Sequence, residues 1–128
     1  MPFVTLYLKK GSEDKKIEKC MKQITEAGAN TLENTLERMI RVTVIESEKE
    51  RTYCGGKLTD ALQPTVLFRI GPGRSSEAKL SFMNQIADIL SSNLDCKKED
   101  VRGYVLDNED GHHFCIGGKH KDFSKKVK

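Results

Sequence analysis

Tryptophan is absent from the 128-residue chain, and aromatic residues make up only 6% of it. A core built from such a sequence has to be mainly aliphatic. No apolar run approaches the ~18–20 residues that a membrane-spanning helix needs. The early Lys9-Lys10 pair does not fit the n-region and h-region order of a secretory signal. Pairs of the Cys-x-x-Cys type are missing too: Cys20, Cys54, Cys96 and Cys115 are scattered. Without an export signal, these four are expected to be reduced thiols, partly buried, in a cytoplasmic protein. Neither sign of charge dominates. The 22 basic and 19 acidic residues give a net charge of +3. That balance excludes a dedicated nucleic-acid binder, which would carry a basic face or stripe. The basic cluster from Lys119 to Lys128 is expected to be a solvated end.

What the sequence does have is an internal repeat. Residues 1–57 lie over residues 63–119 at an offset of 62. Pro2 then falls on Pro64, Val4 on Val66, Leu6 on Phe68, Leu8 on Ile70 and Gly11 on Gly73. Gly55-Gly56-Lys57 falls on Gly117-Gly118-Lys119, and one register slip pairs Arg41 with Arg102 and Glu46 with Asp107. The chain reads as one domain of two repeats, residues 2–57 and 64–119, followed by a basic tail, 120–128.

Each repeat opens with alternating apolar residues, the mark of a half-buried strand, at 2–8 and at Thr65–Ile70. Gly11 and Gly71-Pro72-Gly73 mark the turns that follow. Helices come next, with Ser12-Glu13-Asp14 and Ser75-Ser76-Glu77 as cap and first-turn residues. Ile17, Cys20, Met21 and Ile24 keep helical spacing in the first helix; Leu80, Met83, Ile86, Ala87 and Leu90 keep it in the second. Second strands are predicted at 39–45 and 101–106, and each repeat closes on a Gly-Gly pair suited to a short hairpin. Two such β-α-β units, each with a right-handed crossover, predict an α/β fold: a four-stranded sheet with both helices on one face. The mixed faces of the strands, with Cys54, Cys115 and Ile116, suggest that the other face packs on neighbouring chains.

Along its second repeat the chain resembles the 4-oxalocrotonate tautomerase family. The matching residues are Pro64, Gly73-Arg74-Ser75, Val101-Arg102 and Gly111-His112-His113-Phe114-Cys115-Ile116-Gly117-Gly118. The first repeat resembles the family more loosely, through Pro2, Gly11, Arg41 and Gly55-Gly56. The resemblance implies a fused, two-unit tautomerase-superfamily protein, related in plan to macrophage migration inhibitory factor and cis-3-chloroacrylic acid dehalogenase. It implies a homotrimer, no cofactor and no metal. It also implies a keto–enol tautomerase acting on a small 2-oxo or 2-hydroxy-dienoate carboxylate, with Pro2 as general base after loss of Met1. An α-amino group titrates near ~8, and burial beside cations disfavours its ammonium form. A base poised near neutrality suits proton transfer next to a carbonyl. Pro64 is internal, so its nitrogen is an amide and cannot take that role. By the same resemblance Arg74, Arg102 and Arg41 bind carboxylate and carbonyl oxygens. Phe114 makes the site apolar, and Tyr104 falls at a functional tyrosine of the dehalogenases. Ser12 stands where the first repeat would carry its counterpart of Arg74. Gly71 stands where the dehalogenases have a further arginine, which speaks against dehalogenation.

Plainer readings stand beside these. Arg41 and Arg102 can be strand-flanking, solvated or ion-paired residues; Tyr104 can be a half-buried strand tyrosine; Glu46 and Asp107 suit strand ends. Arg69 falls mid-strand on the solvent or interface face, where it could replace a missing arginine. His112, His113, Cys115 and His120 invite a metal reading that their spacing does not support. Gly71-Pro72-Gly73-Arg74 lacks the spacing and lysine of a phosphate loop. Two functional alternatives remain open. One is a non-catalytic trimeric interaction or cytokine-like protein with vestigial activity. The other is a hydratase, decarboxylase or dehalogenase using the same proline. No nucleic-acid or membrane partner is expected.

Overall fold

The computed structural model describes residues 2–59, 62–107 and 115–120. Strand β1 (Phe3–Lys9) leads into helix α1 (Asp14–Thr31), then a 3-10 turn (Glu37–Met39) and strand β2 (Arg41–Ser47). A small hairpin, β3 (Tyr53–Cys54) and β4 (Lys57–Leu58), follows. The second unit repeats the order: β5 (Thr65–Ile70), α2 (Ser76–Asn93), a 3-10 turn (Lys98–Asp100), β6 (Arg102–Asp107), and the hairpin of β7 (Cys115–Ile116) and β8 (Lys119–His120). The main sheet has the order β2-β1-β5-β6. β1 runs parallel to β2 and β5 parallel to β6, while β1 and β5 pair antiparallel at the centre. This is the predicted α/β fold of two β-α-β units.

Alternation along the strands sends one set of side chains to the helices. Val4, Leu6 and Leu8 of β1 and Val66, Phe68 and Ile70 of β5 are buried. They join Ile17, Cys20 and Ile24 of α1 and Phe82, Ile86 and Leu90 of α2 in one cluster, so both helices lie on one face. Phe68 and Phe82 meet edge to face, with ring centroids 5.0 Å apart. Gly28 is the buried residue that lets α2 approach, since a Cβ there would come within 3.1 Å of the Phe82 ring. The opposite face carries Phe3, Thr5, Tyr7, Leu67, Arg69, Arg102, Tyr104 and Leu106, and among the described residues nothing covers Tyr7, Tyr104 or Leu106.

Several boundaries and faces differ from the sequence expectations. The core stripe of α2 is Phe82-Ile86-Leu90; Leu80 is 64% exposed and Met83 and Ala87 are only half-buried. Two overlapping apolar series run along this helix, and the one that faces Phe68 wins. β2 begins at Arg41 because residues 37–39 wind into the 3-10 turn, with Met39 buried beneath it. Each of the other main strands except β5 starts one residue later than expected and ends one later. Glu13, not Ser12, holds the cap position of α1, without a side-chain bond, whereas Ser75 caps α2 by accepting from the Ala78 N–H. Tyr104 stands exposed on the open face of β6. The Gly-Gly hairpins form as expected. Gly55-Gly56 and Gly117-Gly118 all have φ between +60° and +80°, the twist that a two-residue turn of this hand demands.

The choice of α2 face can be measured. Phe82→Ala should cost about 3–5 kcal/mol of unfolding free energy, and Leu80→Ala should stay within about 0.5 kcal/mol, both read by urea unfolding.

Candidate active site

The register places the two prolines at opposite ends of the central strand pair. Phe3 lies opposite Arg69, and Tyr7 opposite Thr65. Four residues of strand separate these rows, roughly 14 Å. Pro2 therefore heads β1 at one end of the sheet and Pro64 heads β5 at the other. Both are fully buried. Each is held by its neighbour in the same way: the Arg41 N–H donates to the Pro2 carbonyl at 3.1 Å, and the Arg102 N–H to the Pro64 carbonyl at 3.0 Å. The pairing of Leu8 with Glu46 and of Ile70 with Asp107 completes the equivalence of the two units, register slip included.

At the Pro2 end the residue after the proline is flanked by two arginines. Phe3 pairs with Arg41 on β2 and with Arg69 on β5, so the three form one row across the open face. The Arg41 guanidinium lies 4.6 Å from the Phe3 ring centroid, a cation–π distance. Both arginines are exposed in the single chain. Arg69 is thus closer to Pro2 than its mid-strand position in the sequence suggested, because antiparallel pairing of β1 and β5 carries it to the start of β1.

Arg74 reaches the same end by another route. It follows β5 and turns into the loop that joins α1 to β2. Its Nε–H donates to the Glu33 carbonyl (3.0 Å) and the Thr35 hydroxyl (3.2 Å), and Nη2 to the Asn34 carbonyl (3.2 Å) and again Thr35 (3.0 Å). Nη1 donates to the Pro72 carbonyl at 3.3 Å. Burial lowers the Arg74 pKa, and the Glu33 charge opposes that shift. Glu33 in turn accepts the Ser75 N–H on both carboxylate oxygens, at 3.1 and 3.2 Å. Its pKa is lowered, first by its own backbone N–H and then by the Ser75 hydroxyl. Thr35 is buried and Asn34 takes a left-handed φ of 50°. Sequence reasoning missed Glu33 and Thr35, since no periodicity marks a loop residue that pairs with a distant arginine.

Arg102 lies in the Tyr7 row at the Pro64 end and donates to the Glu99 carbonyl at 2.6 Å. Tyr104 pairs with Leu67 in the middle row. Within one chain, then, Arg41 and Arg69 flank the residue after Pro2, Arg74 is bonded into the loop ahead of β2 at the same end of the sheet, and Arg102 and Tyr104 lie away from Pro2. Phe114, with His112 and His113, lies outside the described residues. Among the described residues, no group of three His, Cys, Asp or Glu side chains is placed to hold a metal ion, and no helix is long and apolar enough to cross a membrane. A cleft of about 770 Å³ opens at the Pro64 end between Lys9, Ser12, Lys49, Asp95, Lys97 and Asp100. It holds charges of both signs and lies away from the Pro2 end of the sheet.

An alternating sheet of two β-α-β units, led by a buried proline beside arginines, defines the class. No protein-family model matches the chain. The chain is 39% identical over 57 residues to 2-hydroxymuconate tautomerase of Pseudomonas sp. (strain CF600), a stretch covering 44% of this chain and 89% of that one. It belongs to the tautomerase superfamily. Its fold is similar to that of a wild-type fused 4-OT solved as an asymmetric trimer, with a TM-score of 0.84, 20% identity, and coverage of 92% of this chain and 94% of that one. It is also similar to N1, a member of the cis-3-chloroacrylic acid dehalogenase family, with a TM-score of 0.75, 16% identity, and coverage of 92% and 82%. At these identities the structural likeness is one of fold.

The Glu33 contacts carry a pH signature. A carboxylate whose folded pKa is lowered adds stability above its unfolded value, and that stability is lost as pH falls through the folded value. With an ordinary Glu near ~4.3, wild type should lose more stability than Glu33→Gln on acidification below about pH 4, read by thermal unfolding across pH.

Proposed function

We propose that the chain is a cofactor-independent tautomerase acting on a small 2-oxo or 2-hydroxy-dienoate carboxylate, with Pro2 as its general base. The observation that carries this is the buried Pro2 at the head of a central strand, with Arg41 and Arg69 flanking the next residue. Once Met1 is removed, the Pro2 nitrogen is a secondary amine; with Met1 attached it is an amide and no base exists. Burial and nearby cations favour the neutral amine. The amine takes a proton from the enol oxygen or from a carbon next to the carbonyl. It then returns a proton to the other site, and atoms and charge balance without a redox partner. Arg41 serves as the cation that holds a substrate carboxylate or steadies the developing enolate. Pro64, an amide, plays no chemical part, so each chain supplies one base.

The working assembly in this reading is a homotrimer. A fused 4-OT of similar fold forms trimers, and the exposed Tyr7, Ile45, Tyr104 and Leu106 give the uncovered sheet face an apolar surface to bury against further copies. Arg102 and Tyr104 then act only on a Pro2 that a neighbouring subunit brings to them, and Phe114 supplies an apolar wall. Hydration, decarboxylation or dehalogenation by the same proline stands as the alternative chemistry. A non-catalytic trimeric interaction protein is the second reading; it draws support from Arg74, whose donors are largely taken up within the chain.

The test is intact mass followed by phenylenolpyruvate ketonisation on the same sample. Loss of one Met should accompany turnover, Pro2→Ala should lower kcat by about 10²–10⁴-fold, and Arg41→Ala, which removes the cation at the developing enolate, should lower kcat about 10²-fold. A Met-free, folded protein without turnover supports the non-catalytic reading instead.

A further inference from the structure

The geometry points to Arg74 as a positioning residue that fixes segment 33–41, and with it Arg41, beside Pro2; this rests on the tautomerase reading. The resemblance assigns Arg74 to a substrate carboxylate, but its hydrogen bonds describe another duty. A guanidinium has five N–H donors in a fixed fork. The single donor on Nε, both on Nη2 and one on Nη1 are engaged with Glu33, Asn34, Thr35 and Pro72. One N–H remains, so the parallel pair that a carboxylate takes from an arginine is not on offer.

The clamped loop leads straight to the site. Thr35 is 7% exposed, and its hydroxyl accepts from Arg74 twice while donating to the Glu33 carbonyl at 2.9 Å. The next residues close the 3-10 turn through the Met39 and Ile40 N–H groups, bonded to the Leu36 and Glu37 carbonyls. Ile40 then presses on Gly28, and the Arg41 N–H reaches the Pro2 carbonyl. Segment 33–41 is therefore held at its start by Arg74 and at its end by Pro2. Loosening the start lets Arg41 drift relative to the amine. The Pro64 end gives the contrast. Ser12 of the first unit occupies the place of Arg74 there, and the proline at that end is an amide. Among the described residues the clamp is built only at the end of the sheet that has a base to serve.

The experiment compares Met1-free wild type with Arg74→Met, Thr35→Val and the double variant. Amide hydrogen exchange over 36–41 is measured together with kcat and KM for phenylenolpyruvate. Each single variant should speed exchange at Ile40 and Arg41 and lower kcat about tenfold, with KM within about twofold of wild type. The double variant should be no worse than the worse single one, because both remove the same clamp. Arg74→Lys, which keeps charge without the fork, should not restore kcat. A tenfold rise in KM for Arg74→Met alone, with exchange, kcat and Thr35→Val unchanged, overturns the proposal in favour of a substrate ligand. Should Arg74→Met fail to fold, Thr35→Val decides by the same two readouts. Should wild type show no turnover, the tautomerase reading fails by itself. Exchange then decides the clamp: faster over 36–41 in the variants supports it, unchanged overturns it.

Discussion

The two-sided pairing of β1 is the constraint on which the rest of the molecule depends. An N-terminal strand at a sheet edge would leave its first residues free to fray. Here β1 is bonded to β2 along one edge and to β5 along the other. Its first described residues are consequently paired on both sides, and the Pro2 carbonyl accepts the Arg41 N–H. In the proposed reading, with Met1 removed, this pairing holds the terminal amine in a fixed, buried position. The same pairing decides which cations surround it. Parallel β2 brings Arg41 at its start, and antiparallel β5 brings Arg69 near its end.

Duplication explains the frame, and departures from it explain the site. The two units agree in topology, strand register, helix length and hairpin turn. They differ where chemistry would be done. Pro64 cannot carry a proton, Tyr7 stands in the place of Arg69, and Ser12 in the place of Arg74. Arginine is concentrated at the Pro2 end, whereas the Pro64 end keeps Arg102 and a cleft of mixed charge. In the proposed reading, one end is active and the other relieved of that duty, as a fused pair should become when only one of its prolines can be a terminus.

Much of this was legible in the sequence because the repeat checks itself. Val4-Leu6-Leu8 and Val66-Phe68-Ile70 mark the same strand twice, and the slip that pairs Arg41 with Arg102 returns as the matched bonds to Pro2 and Pro64. What stayed hidden depends on neighbours far apart in the chain. Leu80 and Phe82 both fit a helical period, and only the position of Phe68 selects Phe82. Helical and extended patterns cannot forecast a 3-10 turn, so the pattern alone starts β2 two residues early. Arg74 matched a motif by type, yet its partners Glu33, Asn34 and Thr35 sit some forty residues earlier in an unpatterned loop. A motif identifies the residue type at a position; the loop it meets decides what its donors do.

The proposed mechanism stands or falls on the state of the Pro2 nitrogen. A ¹⁵N NMR pH titration of that nitrogen in the purified protein measures it directly. A proline base requires a titrating secondary amine with a pKa below the ordinary α-amino value of ~8, since burial and the arginines beside it disfavour the ammonium. A value at or above that range, or an amide signal that does not titrate because Met1 remains attached, would contradict it.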